Sequence, residues 1–113
     1  MKRDMDIVRN LLLKIEALDA DDIYYTEDQD ECYNLRIMKD SGLVDGWVED
    51  DGVEGLTAEI TSMTWKGHEL LDAIRNEGVW EKVKALCKKK GVEMTVDVIF
   101  AFAGQVLVRM IGG

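Results

Sequence analysis

The fold is decided by the stretch Ile60–Leu71, ITSMTWKGHELL. Residues 58–63 are rich in β-prone side chains, which predicts a strand. Thr64 can then act as an N-cap, because its hydroxyl accepts a hydrogen bond from a free amide in the first turn of a helix. We therefore expect a strand that passes at Thr64 directly into a helix, whose buried face carries Leu70 and Leu71.

A β-hairpin should lead into this helix. Residues 43–48, LVDGWV, predict its first strand, and Asp51-Gly52 is a turn signal within the loop 49–55. The chain then returns along residues 58–63. Because side chains alternate along a strand, Ala58, Ile60 and Ser62 should share one face of it, and Glu59, Thr61 and Met63 the other.

Apolar residues at helical spacing predict most of the remaining elements. A helix is expected over residues 3–18, a short strand over 23–26, and further helices over 27–41, from Trp65 to a stop at Gly78, over 79–90 and over 95–111. Gly42 should end the second helix at its C′ position. Thr95 can cap the last helix. Trp65 and Trp80 lie beside apolar stripes, so the core is predicted to contain both. The exposed side of the second helix should carry Asp28, Asp30, Glu31 and Asn34.

These elements predict one domain, residues 1–113, that is mainly α with a small β-hairpin (α+β). The order is winged-helix-like: helix, short strand, helix, hairpin, then extra C-terminal helices. The acidic wing would span about residues 43–63, and the C-terminal helices about residues 65–111. Winged helices usually bind DNA, so the charge of this chain bears directly on its function.

Several segments of the chain resemble one family. They are the start MKRDMD at residues 1–6, the run MTWKGH at 63–68, LDAIR at 71–75 and the following Trp80. Together they are similar to an uncharacterised family of bacteria and prophages, a domain of unknown function with the signature TWxGH…LDAIR…W. The resemblance implies a winged-helix-like fold and a link to phages or mobile elements. It implies no catalytic residue and no ligand.

Negative charge is concentrated in the first half of the chain. Residues 1–56 hold 16 acidic residues and 6 Lys or Arg, whereas residues 57–113 hold 7 and 8, within a net charge of −9. Residues 19–54 alone contain 13 acidic residues against only Arg36 and Lys39. Such a segment repels a phosphate backbone and attracts basic surfaces. A solvated acidic surface that only confers solubility is the simpler alternative.

No catalytic, metal or cofactor motif is present. His68 is the only histidine, and no serine or cysteine at a suitable spacing predicts a nucleophile for it. Cys32 and Cys87 lie 55 positions apart without a CxxC pattern, so we expect two buried thiols and no zinc site. Neither GxxxxGKS nor GxGxxG occurs. We therefore predict a protein that is not an enzyme and has no cofactor.

The termini predict a cytoplasmic protein. The N-terminal residues lack the apolar region of a signal peptide. The apolar run Val96–Ile111 contains Asp97, Gln105 and Arg109 and is shorter than the roughly 20 residues that span a bilayer. We expect a helix that covers the core or forms a homodimer, with no membrane contact.

An acidic face is the predicted binding surface. An exposed tryptophan in a charged rim is typical of an interface anchor, and Trp47 lies at the end of a wing strand near acidic residues. Packing of Trp47 in the core of the wing is the alternative. The expected partner-binding residues are Trp47, Glu49, Asp50, Asp51 and Glu54 of the wing, with Asp28, Asp30 and Glu31 of the second helix. The leading hypothesis is a non-catalytic protein that binds a partner with a basic surface, as an inhibitor, an adaptor or a mimic of DNA.

The alternative is a DNA-binding regulator of mobile-element genes. Its contacts with phosphate would have to come from Lys2, Arg3, Arg9, Lys82, Lys84 and Lys88 to Lys90. Those residues lie outside the helix that would enter the major groove, so DNA is the second choice.

Overall fold

The computed structural model describes residues 2–112, which form five helices and one three-stranded antiparallel sheet. The elements are α1 (Met5–Glu16), β1 (Tyr24–Thr26), α2 (Gln29–Asp40), β2 (Val44–Asp50), β3 (Leu56–Met63), α3 (Trp65–Ile74), α4 (Glu77–Lys90) and α5 (Val96–Gly112). The predicted α+β class, the order of its elements and the C-terminal helices are confirmed.

The chain divides into two compact units. The first runs up to His68, and the second begins at Glu69, so that the boundary falls inside α3. The first unit contains the whole sheet together with α1 and α2, and the second contains α4 and α5. The single domain over residues 1–113 stays a prediction.

The sheet has the strand order β1-β3-β2. β2 and β3 form the predicted hairpin, and β1 pairs with the outer edge of β3. Within the described residues, only α2 separates β1 from β2, and Gly42, at a φ of 77°, turns the chain from the end of α2 towards β2. The glycine thus lies at the helix end where it was predicted.

The core of the first unit lies between the sheet and two helices. α1 and α2 pack against each other, and both pack on β3. Each contributes one apolar stripe: Met5, Val8, Leu11, Leu12 and Ile15 from α1, and Cys32, Leu35 and Met38 from α2. Leu56, Ala58 and Ile60 face them from β3. A fully buried side chain of the size of Leu or Ile contributes about 1.5–3 kcal/mol, so these stripes dominate the stability of the unit.

Asn34 is fully buried, whereas the sequence predicted it on the exposed side of α2. Its side-chain oxygen accepts a hydrogen bond from the backbone amide of Asp4 at 2.8 Å, and its amide group donates to the carbonyl of Asp30 at 2.8 Å. Asp4 is the N-cap of α1. Asn34 therefore fixes the start of α1 on α2. Both polar groups of this buried side chain have a hydrogen-bond partner, as is usual for buried polar groups.

The strand-to-helix junction is held by a set of short contacts to the end of α2. The Thr64 hydroxyl donates to the carbonyl of Gly42 at 2.5 Å and accepts from the amide of Gly67 at 3.1 Å, which confirms the predicted N-cap. The Thr64 amide donates to the carbonyl of Leu43 at 3.0 Å. The Lys66 ammonium donates to the carbonyl of Ser41 at 3.1 Å. The MTWKG run therefore joins α3 to the turn that follows α2.

Two predictions around α3 are wrong. Trp65 is 80% exposed and not in the core, because it occupies the first helical position after the N-cap on the solvent side. Gly78 does not close α3, which ends at Ile74. Asn76 instead caps a new helix by accepting from the amide of Val79 at 3.0 Å, and Gly78 lies in the first turn of α4.

The second unit has one buried apolar stripe on α4 and another on α5. Trp80 is 2% exposed, and Val83 and Cys87 extend the same face of α4. Ile99, Ala103 and Val106 are the buried residues of α5. Thr95 accepts from the amide of Val98 at 3.2 Å, which confirms it as the cap of α5. In the part of the chain that the structure describes, no helix is both long enough and apolar enough to cross a membrane.

Candidate functional site

The outer face of the sheet carries a row of three side chains across its three strands. In the antiparallel register Glu59 of β3 lies opposite Tyr25 of β1 on one side and opposite Trp47 of β2 on the other. Ala58 and Ile60, the neighbours of Glu59 in β3, are buried on the inner face. Because side chains alternate along a strand, the three members of the row point outward together. We call Tyr25, Glu59 and Trp47 the cross-strand row.

Both aromatic members of this row are open to solvent. Tyr25 is 53% exposed and Trp47 is 47% exposed. The exposed side chain of Ile23, two residues before Tyr25, extends the apolar part of the surface. Two exposed aromatic side chains on one face of a small sheet are unusual on a surface without a partner, since burying each of them would release a large apolar area from water.

Carboxylates surround the row. Asp45 and Glu49 lie two residues on either side of Trp47 and therefore share its face of β2, and Glu27 follows Tyr25 at the end of β1. None of the three strands contains a Lys or Arg residue. The outer face thus combines aromatic side chains with charge of one sign.

Tyr25 is held in place by Glu27. Its hydroxyl donates to the Glu27 carboxylate at 2.6 Å, and this hydrogen bond is the main reason why the pKa of Tyr25 rises to about 12. The negative charges of Glu27 and Glu59 add to the effect. Tyr25 therefore remains neutral over the physiological range, with its ring beside two carboxylates.

Trp47 is positioned by an irregularity in the hairpin. The register shifts between Asp45 and Gly46, so Thr61 of β3 has no direct partner. Gly46 has a φ of 140°, and a Cβ atom there would clash with the carbonyl of Glu59 and lie 2.8 Å from the Cα atom of Ile60. A bulge of this kind turns the strand and aims the next side chain. Only glycine allows β2 to come this close to β3 immediately before Trp47.

The acidic residues at the tip of the hairpin organise the loop. One Asp51 oxygen accepts from the amides of Val53, Glu54 and Gly55 at 2.6–3.2 Å, and these bonds lower the pKa of Asp51. Asp50 accepts from the amide of Gly52 at 2.8 Å. Asp50 and Asp51 were predicted to bind a partner, and the structure gives both a local role in the turn. The Glu54 side chain is exposed next to them.

The acidic residues at the start of α2 are also engaged. Asp28 is the N-cap and accepts from the amide of Glu31 at 2.9 Å. The Glu31 carboxylate accepts from the Tyr24 hydroxyl at 2.7 Å and pairs with Lys14 at 3.1 Å. Burial alone would raise the pKa of Glu31, but the hydrogen bonds from Tyr24 and Lys14 lower it. Glu31 is thus a half-buried structural residue, while Asp30 is exposed.

Gln29 joins the two acidic groups. Its side chain donates to the carbonyl of Leu56 at 2.9 Å and accepts from the amide of Leu56 at 2.8 Å. The start of α2, with Asp28 and Asp30, is therefore anchored at the base of the hairpin loop that carries Glu54. The structure brings the predicted acidic segments together at this end of the sheet.

A cleft of about 240 Å³ in the first unit includes His68. The rest of its polar lining comes from Glu16, Asp19, Asp22, Thr61 and Ser62. His68 is exposed, and the described residues contain no group of three or more His, Cys, Asp or Glu side chains that could hold a metal ion. Burial raises the pKa of both cysteine thiols, Cys32 and Cys87, as expected for buried thiols rather than reactive ones.

A cleft of about 430 Å³ in the second unit has the opposite charge. Lys82 and Lys89 of α4 and Arg109 of α5 line it, over apolar side chains such as Leu86 and Val106. Other cations of α4 serve local packing, since Lys84 lies 5.7 Å from the centre of the Trp80 ring and 3.1 Å from Glu81. The basic run at residues 88–90 ends α4 before Gly91, where positive charge complements the helix dipole.

Of the predicted binding residues, the structure places Trp47 and Glu49 on the outer face. Asp50, Asp51 and Glu54 lie at the end of the hairpin, and Asp28, Asp30 and Glu31 lie at the start of α2. Tyr25 and Glu59 were not predicted. The sequence marks both as strand residues, and the alternation of residues 58–63 puts Glu59 on the outer face. Which residues lie opposite Glu59 is set by the strand register. No local sequence pattern encodes the pairing of Glu59 with Tyr25, which lies more than thirty positions away.

Fold and surface together define a small α+β protein with an uncovered sheet face that is both aromatic and acidic. Residues 2–93 match the family model described as "Hypothetical protein (DUF2513)". The chain therefore belongs to the DUF2513 family, which confirms the membership that the TWxGH…LDAIR…W signature predicted. The family model ends before α5.

A relative from Haemophilus influenzae described as "Uncharacterized protein" is 29% identical over 118 residues, which cover 98% of this chain and 99% of the relative. The alignment with this relative therefore takes in most of α5 as well. No solved structure matches the chain.

Proposed function

We propose that the protein is a non-catalytic binding module that acts in the cytoplasm on a partner protein with a basic surface. The observation that carries this proposal is the cross-strand row of Tyr25, Glu59 and Trp47 on an open sheet face without Lys or Arg. An inhibitor or adaptor encoded by a phage or mobile element would act in this way.

The chemistry of the outer face supports a protein partner. Tryptophan and tyrosine are the residues that most often dominate the binding energy of an interface, especially where a polar rim excludes water around them. Trp47 and Tyr25 supply such anchors, while Glu27 and Glu49 supply the rim. Complementary charge on the partner would raise the rate of association and exclude acidic competitors.

A mimic of DNA is a narrower form of the same proposal, and the hydrogen bonds of the acidic residues bear on it. Imitation of a phosphate backbone needs a regular line of free negative charges. Asp28, Asp50 and Asp51 accept hydrogen bonds from nearby amides, and Glu31 is paired with Lys14. These contacts favour an aromatic and acidic docking surface over a continuous line of phosphate-like charges.

The DNA-binding alternative finds less support. α2, which would have to enter the major groove, begins with Asp28, Asp30 and Glu31, and it leads through Gly42 directly into β2. Repulsion between these carboxylates and phosphates opposes binding through this helix. A DNA-binding regulator remains the second candidate, to be judged by experiment.

The proposal is tested by capture of a partner with variants of the outer face. Tagged wild-type protein, Trp47→Ala and the control Trp65→Ala are incubated with a lysate of the organism that encodes the protein, at about 50 and about 500 mM NaCl. Trp65 is the matched control because it is an exposed tryptophan outside the sheet. We expect one or more proteins that bind to wild type and to the control at low salt. These proteins should not be captured by Trp47→Ala, and the wild type should capture less of them at high salt.

Partners that bind the Trp47→Ala variant as well as they bind the wild type would contradict the use of this face. A gel-shift assay with DNA from the protein's own locus addresses the alternative. A salt-sensitive, sequence-selective shift at nanomolar protein would make the DNA-binding regulator the better reading, since specific complexes typically form at about 10⁻⁸ M or tighter.

A further inference from the structure

We propose that the cross-strand row is a receptor for an arginine side chain of the partner protein, with the guanidinium held between Tyr25 and Trp47 and above the carboxylate of Glu59. This inference rests on the proposed function and names the chemical group that the outer face recognises. The order aromatic, carboxylate, aromatic across three neighbouring strands is what distinguishes it from a general acidic surface.

The spacing of the strands suits a flat cation. Neighbouring strands lie about 4.8 Å apart, so Tyr25 and Trp47, with one strand between them, have backbones roughly 10 Å apart. A guanidinium plane stacked between two aromatic rings needs about 7–8 Å, at the usual carbon contact of 3.5–4.0 Å on each side. Small rotations of the two side chains towards each other bring the rings from the backbone spacing to the spacing that stacking needs. Glu59 lies on the strand between them, so its side chain rises from the floor of this gap.

The electrostatics of the site favour a cation on every side. The faces of the two rings carry the negative part of their quadrupole, and the indole of tryptophan is the strongest partner for a cation. The carboxylate of Glu27 is bonded to the Tyr25 hydroxyl at 2.6 Å, which adds electron density to that ring. Glu59 supplies a full charge, and it is only half-buried, so it has not lost its hydration before the ligand arrives.

Arginine fits this arrangement better than lysine. The guanidinium is planar, stacks on aromatic faces and still directs its N–H groups in its own plane towards a carboxylate. The lysine ammonium is compact and strongly hydrated, so it cannot stack on both rings while it donates to Glu59. Glu49 lies on the same face as Trp47 and can form an ion pair with a second basic residue of the same partner segment. We therefore expect the partner to present arginine within an extended basic segment.

The inference is tested with three peptides of one design, acetylated and amidated: GRGRGRG, the same sequence with lysine, and the same with citrulline, a neutral analogue of arginine. Each is titrated into the ¹⁵N-labelled full-length protein, and amide and indole shifts are followed. The arginine peptide should shift the Trp47 indole N–H and the Glu59 amide most. It should bind about 3–10-fold more tightly than the lysine peptide. The citrulline peptide should give no saturable shift.

Two variants with matched controls locate the effect. Glu59→Gln keeps the shape and removes the charge, and Trp47→Leu keeps apolar bulk and removes the aromatic face. Each should lower the affinity for the arginine peptide about 5–10-fold, whereas Glu69→Gln and Trp65→Leu, both outside the sheet, should not. Dispersed amide spectra show that each variant folds. If Trp47→Leu does not fold, Glu59→Gln and Tyr25→Leu decide.

Equal binding of the arginine and lysine peptides, or shifts spread evenly over residues 19–54, would overturn the arginine receptor. The proposed function is judged separately by its own capture experiment. A protein captured through Trp47 from lysate while all three peptides fail to bind would leave the binding module in place and reject arginine as its target. If the capture experiment and the peptide titration both fail to show binding, the binding module and the arginine receptor are both rejected.

Discussion

Gly67 has a structural reason to be glycine. A Cβ atom at this position would clash with the carbonyl oxygen of Leu43 and lie 2.6 Å from the Cγ atom of Met63. The carbonyl cannot move, because it also accepts the hydrogen bond from the Thr64 amide. Gly67 lets the first turn of α3 rest directly on the backbone that follows α2, which accounts for the glycine in the TWKGH run.

Gly67→Ala should destabilise the protein by about 1–3 kcal/mol, because the steric conflict exceeds the gain of up to about 1 kcal/mol in helix propensity. Urea unfolding followed by circular dichroism measures the free energy of unfolding. Gly104→Ala in α5 is the matched control. Its Cβ atom would meet nothing within 4 Å, so it should be neutral or stabilising by up to about 1 kcal/mol. An unchanged stability of Gly67→Ala would contradict the close approach.

Glu31 should make the stability of the protein sensitive to acid. Its pKa is lowered from 4.5 in the folded state, so the ionised carboxylate stabilises the fold above about pH 4.5. This contribution is lost as the pH falls through the folded pKa. Glu31→Gln should cost roughly 1–2 kcal/mol at pH 7 and should flatten the dependence of stability on pH between about 5 and 3. Urea unfolding at a series of pH values measures both effects.

Lys14→Gln tests the ion pair with Glu31 by removing its positive partner. Without Lys14 the carboxylate of Glu31 keeps its hydrogen bond from the Tyr24 hydroxyl but loses the nearby positive charge, so the loss of stability should begin at a higher pH than in wild type. The pKa of Lys14 is raised by its hydrogen bond to Glu31, so the pair also stabilises the fold below pH 10.5 and is lost above it. Identical acid profiles for wild type and Lys14→Gln would show that the pair is inactive.

The burial of single residues was only partly predictable from the sequence. Trp80 and Trp65 both stand beside apolar stripes, yet Trp80 is buried and Trp65 is exposed. Helical periodicity gives the angle of a side chain around its own helix, but it does not show how far along the helix the neighbouring elements extend. Trp65 stands at the very start of α3. Asn34 was misplaced for a related reason, since its burial depends on the distant amide of Asp4.

At the scale of elements, the hairpin depends on Gly46. Gly46→Ala should destabilise the protein by about 2–4 kcal/mol, because both the positive φ and the contact with the β3 backbone oppose a Cβ atom. Gly52→Ala in the hairpin loop is the control. It has a φ of 76° but open space around it, so only the backbone term of about 1–2 kcal/mol applies. Urea unfolding should rank the two variants in this order, and the reverse order would contradict the role of the bulge.

The elements themselves were largely predictable. The local patterns identified every helix and strand of residues 2–112, and the N-caps at Thr64 and Thr95 and the stop at Gly42 were placed correctly. The prediction at Gly78 was wrong because two helices meet within a few residues. A glycine can end a helix, but Asn76, two residues earlier, already caps the next helix. The pairing of β1 with β3 lay beyond local patterns, and the cross-strand row depends on it.

At the scale of the whole molecule, the uneven charge links stability to the proposed function. A surface that attracts a basic partner must hold its carboxylates close together, and those carboxylates repel one another in the free protein. Residues 19–54 carry most of this charge, and the loop before β1 contributes the exposed Asp19, Asp21 and Asp22. Binding of a cationic partner, or screening by salt, should therefore stabilise the protein.

We predict that the melting temperature rises by roughly 3–6 °C between about 20 and 300 mM NaCl, equivalent to about 0.5–1 kcal/mol, since the Debye length falls from about 20 Å to about 6 Å and screens the longer-range repulsion. Screening also weakens the Lys14–Glu31 pair, but a single pair is outweighed by many like charges. The double variant Asp21→Asn and Asp22→Asn removes two charges from a loop outside the sheet. It should melt higher than wild type at low salt, and the difference should vanish at high salt. A melting temperature of wild type that falls as salt increases would mean that paired charges, and not repulsion, dominate the electrostatics of the fold.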